Sequence, residues 1–534
     1  MSQQNINKLN PSQNLFLSEN KNSQNNQDFQ MDSKFQIRQK QFDQDENFSK
    51  IKESTMSKEF NLSQDNRNKV FLQKRLHKKS NIESKESLLN SLSIPKDIYE
   101  KLISEEIQPS DFSKIINLFN SQNIDDKFKG LIGIRKLLSI ASQPPIQEII
   151  DLKIVPELIK LLDNSPNEFI YEAIWSLTNI ASGNPEQANT ILIYGGISKI
   201  LNLLDSNIEE IKSQTIWLVA NLIGDSSKIR NTLIEQKILD KILTILASTN
   251  FENYIDLCTW AISNFFRIKP IPNYEISYKA FKIIARVIMI YETTNVEFIT
   301  DACFILSVMT KKYKELIKEI IDINLLPNII KFLDIDNKSV IMTSLRIIGN
   351  IAAEDNANLT QKLIDLNILE KLKYTLFNEN IGIRKESAFI ISNLAAGTQK
   401  QIETLIQQNF LQILYKIFIN DLPKVKKEAI YAIGNLSSVE NEKYMKKLVD
   451  DGILLFVYEC MKNNDEPQFI ALSLEILENI LAFAKKNGSL NNFLKEIEKI
   501  GMVDLLEKLQ IHKDQMIYEK TIQILDSYFE TENI

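Results

Sequence analysis

The three tryptophans of this 534-residue chain each precede an asparagine by four positions. The pairs, which recur at steps of 42 and 43 residues, are Trp175 with Asn179, Trp217 with Asn221 and Trp260 with Asn264. Residues i and i+4 share one face of a helix, so each indole should lie beside its carboxamide. One such pair is explained by a core Trp and an Asn bonded to a neighbouring repeat, but three in register favour a row of binding groups.

Such a row suits an extended, basic peptide. A carboxamide can donate to and accept from any peptide backbone without reading its sequence. The aliphatic stem of Lys or Arg can enter a slot between successive indoles, where cation–π attraction contributes roughly 0.5–2 kcal/mol per contact. The residue types and their spacing therefore predict a peptide groove.

The same spacing continues along the chain. Similar pentads end at positions 179, 221, 264, 308, 350, 393 and 435, an Asn follows at 479, and the steps are 42 to 44 residues. Each unit also ends in an apolar helical segment such as VPELIKLL or LEKLKYTL. A period in the low forties built only of helices is typical of armadillo and HEAT repeats. We therefore predict an all-α protein, an armadillo-repeat right-handed α-solenoid of about ten repeats with a concave groove.

Acidic residues occur in phase with the row. Asp225 lies four residues after Asn221, and four other acids lie three residues before the aromatic position of their unit. One charged helix residue would simply be solvated, but four in register predict capture and steering of a cation. The four are Glu172, Asp301, Glu386 and Glu428.

The first 95 residues differ in composition from the rest. Asn, Gln and Ser make up 25 of the first 50 residues. Residues 1–95 contain 15 Lys or Arg and 11 acids, a net charge of +4, which leaves −10 for the body. Such a segment buries too little apolar surface to offset its ordering entropy. We predict a disordered tail over 1–95 and an armadillo-repeat domain over 96–534.

One basic cluster stands out in the tail, over about residues 67–81. It contains no acid between Asp65 and Glu83. It is either a solvated charge run or a basic linear motif that an acidic groove binds. Its members are Arg67, Lys69, Lys74, Arg75, Lys78 and Lys79.

Composition argues against other classes of protein. Only two histidines, His77 and His512, are present, and the sequence lacks GxxxxGK[ST], GxSxG and GxGxxG motifs, so we predict no enzyme, no metal and no cofactor. A body at −10 disfavours direct nucleic-acid binding. The sequence shows no signal peptide and no run of roughly 18 apolar residues. Its three scattered cysteines suggest buried thiols. We therefore expect a soluble intracellular protein with no membrane partner.

Several stretches resemble the importin-α (karyopherin-α) family, the adaptors for basic nuclear localisation signals. The stretches similar to its first four repeats are RKLLSIASQPPIQEII (135–150), EAIWSLTNIASGNPEQ (172–187), QTIWLVANLIGDSSKIR (214–230) and TWAISNFFR (259–267). SLEILENIL (473–481) and MIYEKTIQILDSYFE (516–530) resemble its C-terminal repeats. The resemblance covers roughly residues 100–530. It implies an adaptor that shuttles between cytoplasm and nucleus and links cargo to importin-β.

By this resemblance, a major signal-binding site falls on the second to fourth repeats. Tryptophans would form its slots, asparagines would fix the peptide backbone, and Asp225 would pair with the key lysine of the signal. Loop geometry and helix-surface polarity are simpler explanations for Gly183 and Gln214. The full set is Trp175, Asn179, Gly183, Gln214, Trp217, Asn221, Asp225, Trp260 and Asn264.

A minor site falls, by the same resemblance, on later repeats. Its asparagines are present and Arg346 replaces one tryptophan as in the family, but Phe389 and Tyr431 stand at the other tryptophan positions. Both rings are weaker cation–π acceptors than indole, so we predict a dominant major site and a weakened minor one. The minor set is Arg346, Asn350, Glu386, Phe389, Asn393, Glu428, Tyr431 and Asn435.

The tail departs further from the family. VFLQKRLHKKSN (70–81) resembles only the end of the importin-β-binding segment, and the arginine clusters upstream of it are missing. Lys74, Arg75, Lys78 and Lys79 could still mimic a signal in cis at high effective concentration. Cargo release would then involve this tail and a nuclear export receptor on the C-terminal repeats. The alternative is an armadillo peptide-binding scaffold not involved in nuclear import, which the eroded tail favours and the Trp–Asn row disfavours.

Overall fold

The structure, a computed structural model, describes Leu88 and residues 90–529 except 141–142, 225, 250–251, 292–294 and 464–465. Contacts divide the chain into two units, Met1–Ser84 and Lys85–Ile534, and the described residues belong to the second. Asp225 and the basic cluster of the tail lie outside the described residues, and so do residues 1–87 and 89 of the tail for which we predict disorder. Leu88 is buried, and the Ser93 N–H donates to Glu168 at 3.2 Å, so residues just before 96 pack on the repeats.

Ten long helices form a continuous stack in which each packs against the next along the chain. We call them ladder helices, because eight of them carry the in-phase positions, the ladder positions, at 179, 221, 264, 308, 350, 393, 435 and 479. In the order of repeats 1 to 10 they are Ile124–Leu137, Asn167–Ile180, Glu209–Ile223, Glu252–Arg267, Val296–Lys312, Lys338–Ala352, Ile381–Ala395, Pro423–Leu436, Pro467–Lys486 and Gln515–Tyr528. They confirm the predicted all-α armadillo solenoid of about ten repeats, and every element in the described ranges is helical.

Shorter helices complete each repeat and pack on the ladder helices. Lys96–Ser104, the 3₁₀ turn Pro109–Asp111 and Phe112–Phe119 precede the first ladder helix. The helices between successive ladder helices are Ile146–Asp151, Ile154–Lys160, Pro185–Ile193, Gly196–Leu203, Ser227–Glu235, Ile238–Ser248, Tyr274–Ile290, Glu315–Asp322, Leu326–Lys331 with the 3₁₀ turn Phe332–Asp334, Ala357–Asp365, Ile368–Thr375, Gln399–Gln407, Phe410–Asn420, Glu442–Asp450, Ile453–Asn463, Leu490–Lys499 and Met502–Leu509.

Asparagine begins several ladder helices. The side-chain oxygens of Asn123, Asn295, Asn337 and Asn380 accept hydrogen bonds from backbone N–H groups of the first turn. These N–H groups have no partner within the helix, so an Asn cap stabilises the helix start by about 1 kcal/mol. The high Asn content of the body therefore has a local structural use besides the ladder.

The internal ladder helices bury several faces because each lies between two others. In Pro467–Lys486, Leu474, Leu477, Ile480 and Leu481 are fully buried. This helix is long and apolar enough, by length and composition alone, to cross a membrane. Its packing against the ladder helices of repeats 8 and 10 accounts for that composition, because a core helix is apolar all round.

A left-handed backbone residue recurs at the turn between the two short helices of a repeat. The eight residues are Lys153, Gly195, Lys237, Asn324, Asn367, Asn409, Gly452 and Gly501, with φ between 56° and 95°. Glycine occupies three of these eight positions, and Asn tolerates this region better than most residues. The turn was not evident in the sequence because lysine fills two of the positions.

A pair of glycine substitutions with opposite expected signs tests this account. Gly195→Ala should destabilise the protein by roughly 1 kcal/mol, because a Cβ disfavours the left-handed region. Gly434 lies in a ladder helix, where an added Cβ meets only Ile476 Cγ1 at 3.7 Å. Gly434→Ala should therefore stabilise the protein by roughly 0.5–1 kcal/mol. Thermal unfolding followed by circular dichroism would measure both. Melting temperatures that change in the reverse order would contradict the assignment.

Candidate peptide-binding site

Most ladder asparagines reach back to the preceding repeat. In four of them Nδ2 donates, at 2.9 or 3.0 Å, to the carbonyl of the residue just before the preceding ladder position. The donor–acceptor pairs are Asn221 to Thr178, Asn264 to Ala220, Asn350 to Ser307 and Asn435 to Ser392. These bonds hold each carboxamide in one orientation, because the amide group is planar and its Nδ2 is held by the carbonyl. The asparagines thus join consecutive ladder helices.

The same bonds leave an acceptor available. Within the described ranges, Oδ1 of Asn221, Asn350 and Asn435 accepts no hydrogen bond. A carbonyl oxygen held in this way can accept from the N–H of an extended peptide backbone. Packing between repeats and ligand binding are therefore compatible roles for one side chain.

The asparagine row is not uniform. Asn179 is almost fully buried, and its Nδ2 donates to Ser139 Oγ at 2.9 Å. Asn393 donates to the Phe389 carbonyl of its own helix at 2.9 Å. Asn221 is therefore the major-site asparagine that combines a cross-repeat anchor with an available oxygen.

The indoles do not form the predicted series of open slots. The rings of Trp217 and Trp260 contact edge to face, with centroids 5.8 Å apart at 71°. That arrangement is favourable for aromatic pairs and fills the space between the two rings. The expectation of an open slot here is wrong for this structure, and a lysine stem would enter only after one indole rotates.

Glu172 corrects the prediction of an exposed acidic row. It is fully buried, and its two oxygens accept from Arg135 Nε at 2.7 Å and from the Tyr99 hydroxyl at 2.9 Å. Burial, and then the Glu172 charge, raise the pKa of Tyr99 well above its usual value, so the hydroxyl stays a donor. Burial opposes the charge on Arg135, but Glu172 outweighs it and the pKa of Arg135 is raised. Glu172 therefore neutralises an internal cation and is not available to a ligand.

Asp301 corrects the same prediction at the other end of the major site. It is almost fully buried and accepts from Arg267 Nη2 at 2.8 Å. Arg267 Nε donates to Asn264 Oδ1 at 3.0 Å, and the guanidinium lies 4.7 Å from the centre of the Phe304 ring. The chain thus places its own cation between a ladder asparagine and the next aromatic position.

The first tryptophan has a similar internal partner. The Arg135 guanidinium lies 4.5 Å from the centre of the Trp175 ring, and Trp175 remains half-buried. Arg135 of the first repeat and Arg267 of the fourth therefore lie at Trp175 and Phe304, on either side of the Trp217–Asn221 pair along the row. Sequence reasoning missed both arginines, although each precedes an in-phase acid, by 37 and 34 residues.

The minor-site residues differ in accessibility. Arg346, Glu386 and Phe389 are half-buried, whereas Glu428 and Tyr431 are mostly buried. Lys385 Nζ lies 3.8 Å from Glu428, and the Tyr431 hydroxyl accepts from Gln468 Nε2 at 2.8 Å. These internal partners restrict the eighth-repeat half of the predicted site.

Gly349 is a further residue that sequence reasoning missed. A Cβ at this position would lie 2.8 Å from Glu386 Oε1 and 3.6 Å from the Phe389 ring. A side chain at position 349 would therefore displace the Glu386 carboxylate from its place against the sixth repeat, next to Asn350.

Gly183 and Gln214 have structural explanations. A Cβ on Gly183 would lie 2.2 Å from Gln187 Oε1, which belongs to a helix cap with Asn184. Gln214 Nε2 donates to Thr178 Oγ1 of the preceding repeat at 2.9 Å. Their roles in ligand binding stay predictions.

The cysteines of the described part of the chain are buried. Cys258, Cys303 and Cys460 are buried free thiols, as predicted. Burial raises the pKa of Cys303 and of Cys460 to about 12, and that of Cys258 further. Among the described residues no group of three His, Cys, Asp or Glu side chains could hold a metal ion.

The stack of ladder helices with its asparagine row defines an armadillo-repeat protein with a candidate peptide groove. Residues 142–182 match the armadillo/beta-catenin-like repeat model and residues 491–534 match an atypical Arm repeat model. The chain is 32% identical over 444 residues to importin subunit alpha-1a of Oryza sativa subsp. japonica, covering 74% of this chain and 76% of that protein. The chain belongs to the importin-α family.

Other relatives agree with this placement. Importin subunit alpha-3 of Arabidopsis thaliana is 32% identical over 464 residues, covering 77% of this chain and 78% of that protein. Importin subunit alpha-B of Dictyostelium discoideum is 38% identical over 260 residues, about half of each chain (48% and 49%). A crystal structure of an engineered protein superposes with a TM-score of 0.65 at 23% identity, covering 78% of this chain and 98% of that one, which supports the fold.

Proposed function

We propose that this chain is a nuclear import adaptor that binds Lys- and Arg-rich localisation signals along its ladder helices and links their cargo to importin-β. The observation that carries the proposal is Asn221, whose carboxamide is anchored at 3.0 Å to Thr178 while its oxygen stays available beside Trp217. Relatives named importin subunits alpha, at 32% identity over three quarters of the chain, support the same role. The adaptor acts by binding and needs no catalysis, metal or cofactor.

Binding at the major site would combine three interactions. The Asn221 oxygen accepts a backbone N–H of the extended signal peptide, which requires no particular sequence. Trp217, after rotating away from Trp260, covers the stem of a lysine. Asp225 pairs with the ammonium of that lysine. Because Arg135 lies over Trp175 and Arg267 lies over Phe304, the preferred lysine binds at Trp217, between these two positions.

Binding at the minor site would be weaker. Glu428 already has Lys385 at 3.8 Å, and the Tyr431 hydroxyl is held by Gln468. Phe389 and Glu386 remain half-buried and can contact a single cation. A signal with one basic cluster would therefore bind nearly as well as one with two.

The tail would regulate the groove. Residues 1–95 form a basic segment whose Lys74, Arg75, Lys78 and Lys79 compete with cargo in cis and are withdrawn when importin-β binds them. A nuclear export receptor that binds the C-terminal repeats would return the chain to the cytoplasm. The chain would thus shuttle between cytoplasm and nucleus.

A direct binding assay tests this function. Fluorescence anisotropy of a labelled Lys-rich peptide should give a dissociation constant of about 1 μM or tighter for the chain lacking residues 1–84. The full chain should bind at least about tenfold more weakly, and alanine at Lys74, Arg75, Lys78 and Lys79 should restore the affinity of the truncated chain. A Glu-rich peptide of equal length serves as the control. Absence of binding to the truncated chain would refute the adaptor.

The scaffold alternative makes a different prediction. A scaffold would bind the Lys-rich peptide but would not form a ternary complex with importin-β and peptide in size-exclusion chromatography. It would also fail to carry a fluorescent cargo into the nuclei of permeabilised cells. The eroded arginine clusters of the tail are the observation that favours it.

A further inference from the structure

A second row of equivalent positions runs along the short helices that follow the left-handed turns. In three repeats an aspartate stands ten residues after the left-handed residue. This aspartate forms an ion pair with a lysine of the next repeat. The lysine stands four residues after the left-handed residue of that next repeat. The pairs are Asp163 with Lys199, Asp205 with Lys241, and Asp334 with Lys371. We call this set the Asp–Lys row.

The Asp–Lys row, which Ala247 interrupts in the third repeat, has no member in the two repeats that follow Lys371. The equivalent positions of the next repeats hold Phe377 with Ile413 and Ile419 with Phe456. Phe377 and Ile419, which replace the aspartates, are 56% and 55% exposed. Tyr374 and Leu422 beside them are 78% and 55% exposed. Large apolar side chains have thus replaced a charged pair without becoming buried, and contiguous exposed apolar groups of this kind mark interaction sites.

The Arg384 guanidinium connects the two chain segments that carry this surface. Arg384 Nε and Nη2 donate to the two oxygens of Asp421 at 2.6 and 2.8 Å, and its Nη1 donates to the carbonyls of Asn378 and Glu379 at 2.8 and 2.9 Å. Burial opposes the charge on Asp421, but bonds from Arg384 and from the Leu422 N–H outweigh it and lower its pKa. Asn378 follows Phe377 and Asp421 precedes Leu422, so a bidentate pair fixes both halves of the surface. A rigid surface loses little entropy when a partner binds.

Positive charge borders the surface. Lys416 and Lys424 are exposed and Lys426 is half-buried, and none of the three has an ion-pair partner among the described residues. Lys424 and Lys426 lie in the first turn of Pro423–Leu436, where the helix dipole is already positive. These lysines attract anionic groups and repel a basic segment such as the tail, which carries +4, and the nearby exposed Glu379 has Lys338 at 3.3 Å as its own partner.

We propose that Tyr374, Phe377, Ile419 and Leu422, the edge patch, form a docking surface for an acidic amphipathic helix of a partner protein. Adjacent helices pack about 8–10 Å apart, and residues i and i+7 of a helix are separated by about 10.5 Å. Two apolar side chains one heptad apart can therefore contact Phe377 and Ile419 together, while acids between them face the lysines. This inference does not depend on the proposed function, because none of the four residues of the edge patch lies on a ladder helix.

The repeats themselves supply the test variant. Phe377→Asp with Ile419→Asp introduces the residue that three other repeats carry at this position, so the chain should fold. The probe is a labelled synthetic helix of about 16 residues with Leu at i, i+3 and i+7 and Glu elsewhere, titrated into the full chain. We expect saturable binding that the double variant weakens at least tenfold and that Lys416→Glu with Lys424→Glu also weakens.

Two controls make the result specific. Ile511→Asp changes an isolated apolar side chain that is 88% exposed, and it should leave binding of the acidic helix unchanged. The Phe377→Asp/Ile419→Asp variant should keep its affinity for a Lys-rich peptide, which separates this surface from the ladder groove.

Three outcomes would overturn the proposal. The first is absence of saturable binding, or equal binding by the double variant. The second is a dimer in sedimentation velocity that the double variant converts to a monomer without any helix binding, which would assign the edge patch to a second copy of the chain. The third is co-sedimentation with phosphatidylserine vesicles, lost in the double variant, without helix binding, which would assign it to a membrane surface.

Discussion

Replacing both Trp217 and Asn221 with alanine is expected to weaken binding of a Lys-rich peptide by roughly 100-fold in the chain lacking residues 1–84. The indole contributes a cation–π contact of about 0.5–2 kcal/mol, and the carboxamide oxygen contributes a hydrogen bond of about 1 kcal/mol. Each tenfold change corresponds to about 1.4 kcal/mol, so Asn221→Ala should lose about fivefold and Trp217→Ala up to roughly 30-fold, which together give a loss on the order of 100-fold. Fluorescence anisotropy measures the loss directly.

Asn479→Ala is the matched control for this prediction. Asn479 donates to Ser437 Oγ at 3.0 Å, so its loss removes a cross-repeat bond comparable to that of Asn221. Its helix carries no tryptophan, and no signal contact is proposed there. Both asparagine variants should lose similar thermal stability, but only Asn221→Ala should lose affinity. If Asn479→Ala weakened the peptide equally, the asparagines would act by supporting the solenoid and not by contacting the ligand.

Tryptophan fluorescence gives an independent readout of the same site. The three tryptophans of the chain all lie on ladder helices, so the intrinsic emission reports on the groove. Opening the Trp217–Trp260 contact, with centroids 5.8 Å apart, should change the emission when a Lys-rich peptide binds. The change should disappear in Trp217→Ala, although Trp175 and Trp260 remain.

The period of the sequence was sufficient to predict the fold. Asparagine and tryptophan recur at 42 to 44 residues, and a helical repeat of that length has few alternative architectures. The same period correctly located eight ladder positions on eight successive helices of the stack. A long-range regularity of this kind survives in sequence because every repeat must present the same packing surface to its neighbour.

The partners within the site could not be predicted in this way. Glu172 and Asp301 occupy the expected positions, yet each is paired with an arginine from an adjacent repeat. Position on a helix face does not show whether a neighbouring helix brings a cation within 3 Å, because that depends on side-chain length and burial. The contact between Trp217 and Trp260 escaped prediction for the same reason. In both cases the period specifies the position of a residue but not what it touches.

The cross-repeat bonds connect folding to binding. An asparagine in a helix interior has a poor intrinsic helix propensity, but its Nδ2 joins two ladder helices and thereby fixes its oxygen. A serine or glutamine could be accommodated on the surface without that orientation. The repeat therefore provides a preorganised acceptor as a consequence of its own packing.

Glu172→Ala is expected to destabilise the N-terminal repeats by roughly 3–5 kcal/mol. The substitution would leave the Arg135 guanidinium buried without its counterion, and it would leave the Tyr99 hydroxyl without an acceptor. Breaking a buried pair costs more than the pair contributes, because the remaining charge has lost its water and has no partner. Urea unfolding combined with hydrogen exchange should show reduced protection of the backbone amides in Lys96–Ser104 and Ile124–Leu137. The effect should be local because an array of repeats need not unfold in one step.

Removing the whole network provides the comparison that isolates this cost. Replacing Glu172 and Arg135 with methionine and Tyr99 with phenylalanine eliminates the charges and the hydroxyl together, so most of the stability should return. The triple variant also removes the cation that lies 4.5 Å from the Trp175 ring, so it should expose that indole to a second peptide lysine and tighten binding of longer basic signals. If the triple variant were as unstable as Glu172→Ala, the destabilisation would arise from lost packing volume and not from an unpaired charge. If it were stable but bound no tighter, Arg135 would not be the group that limits the first ladder position.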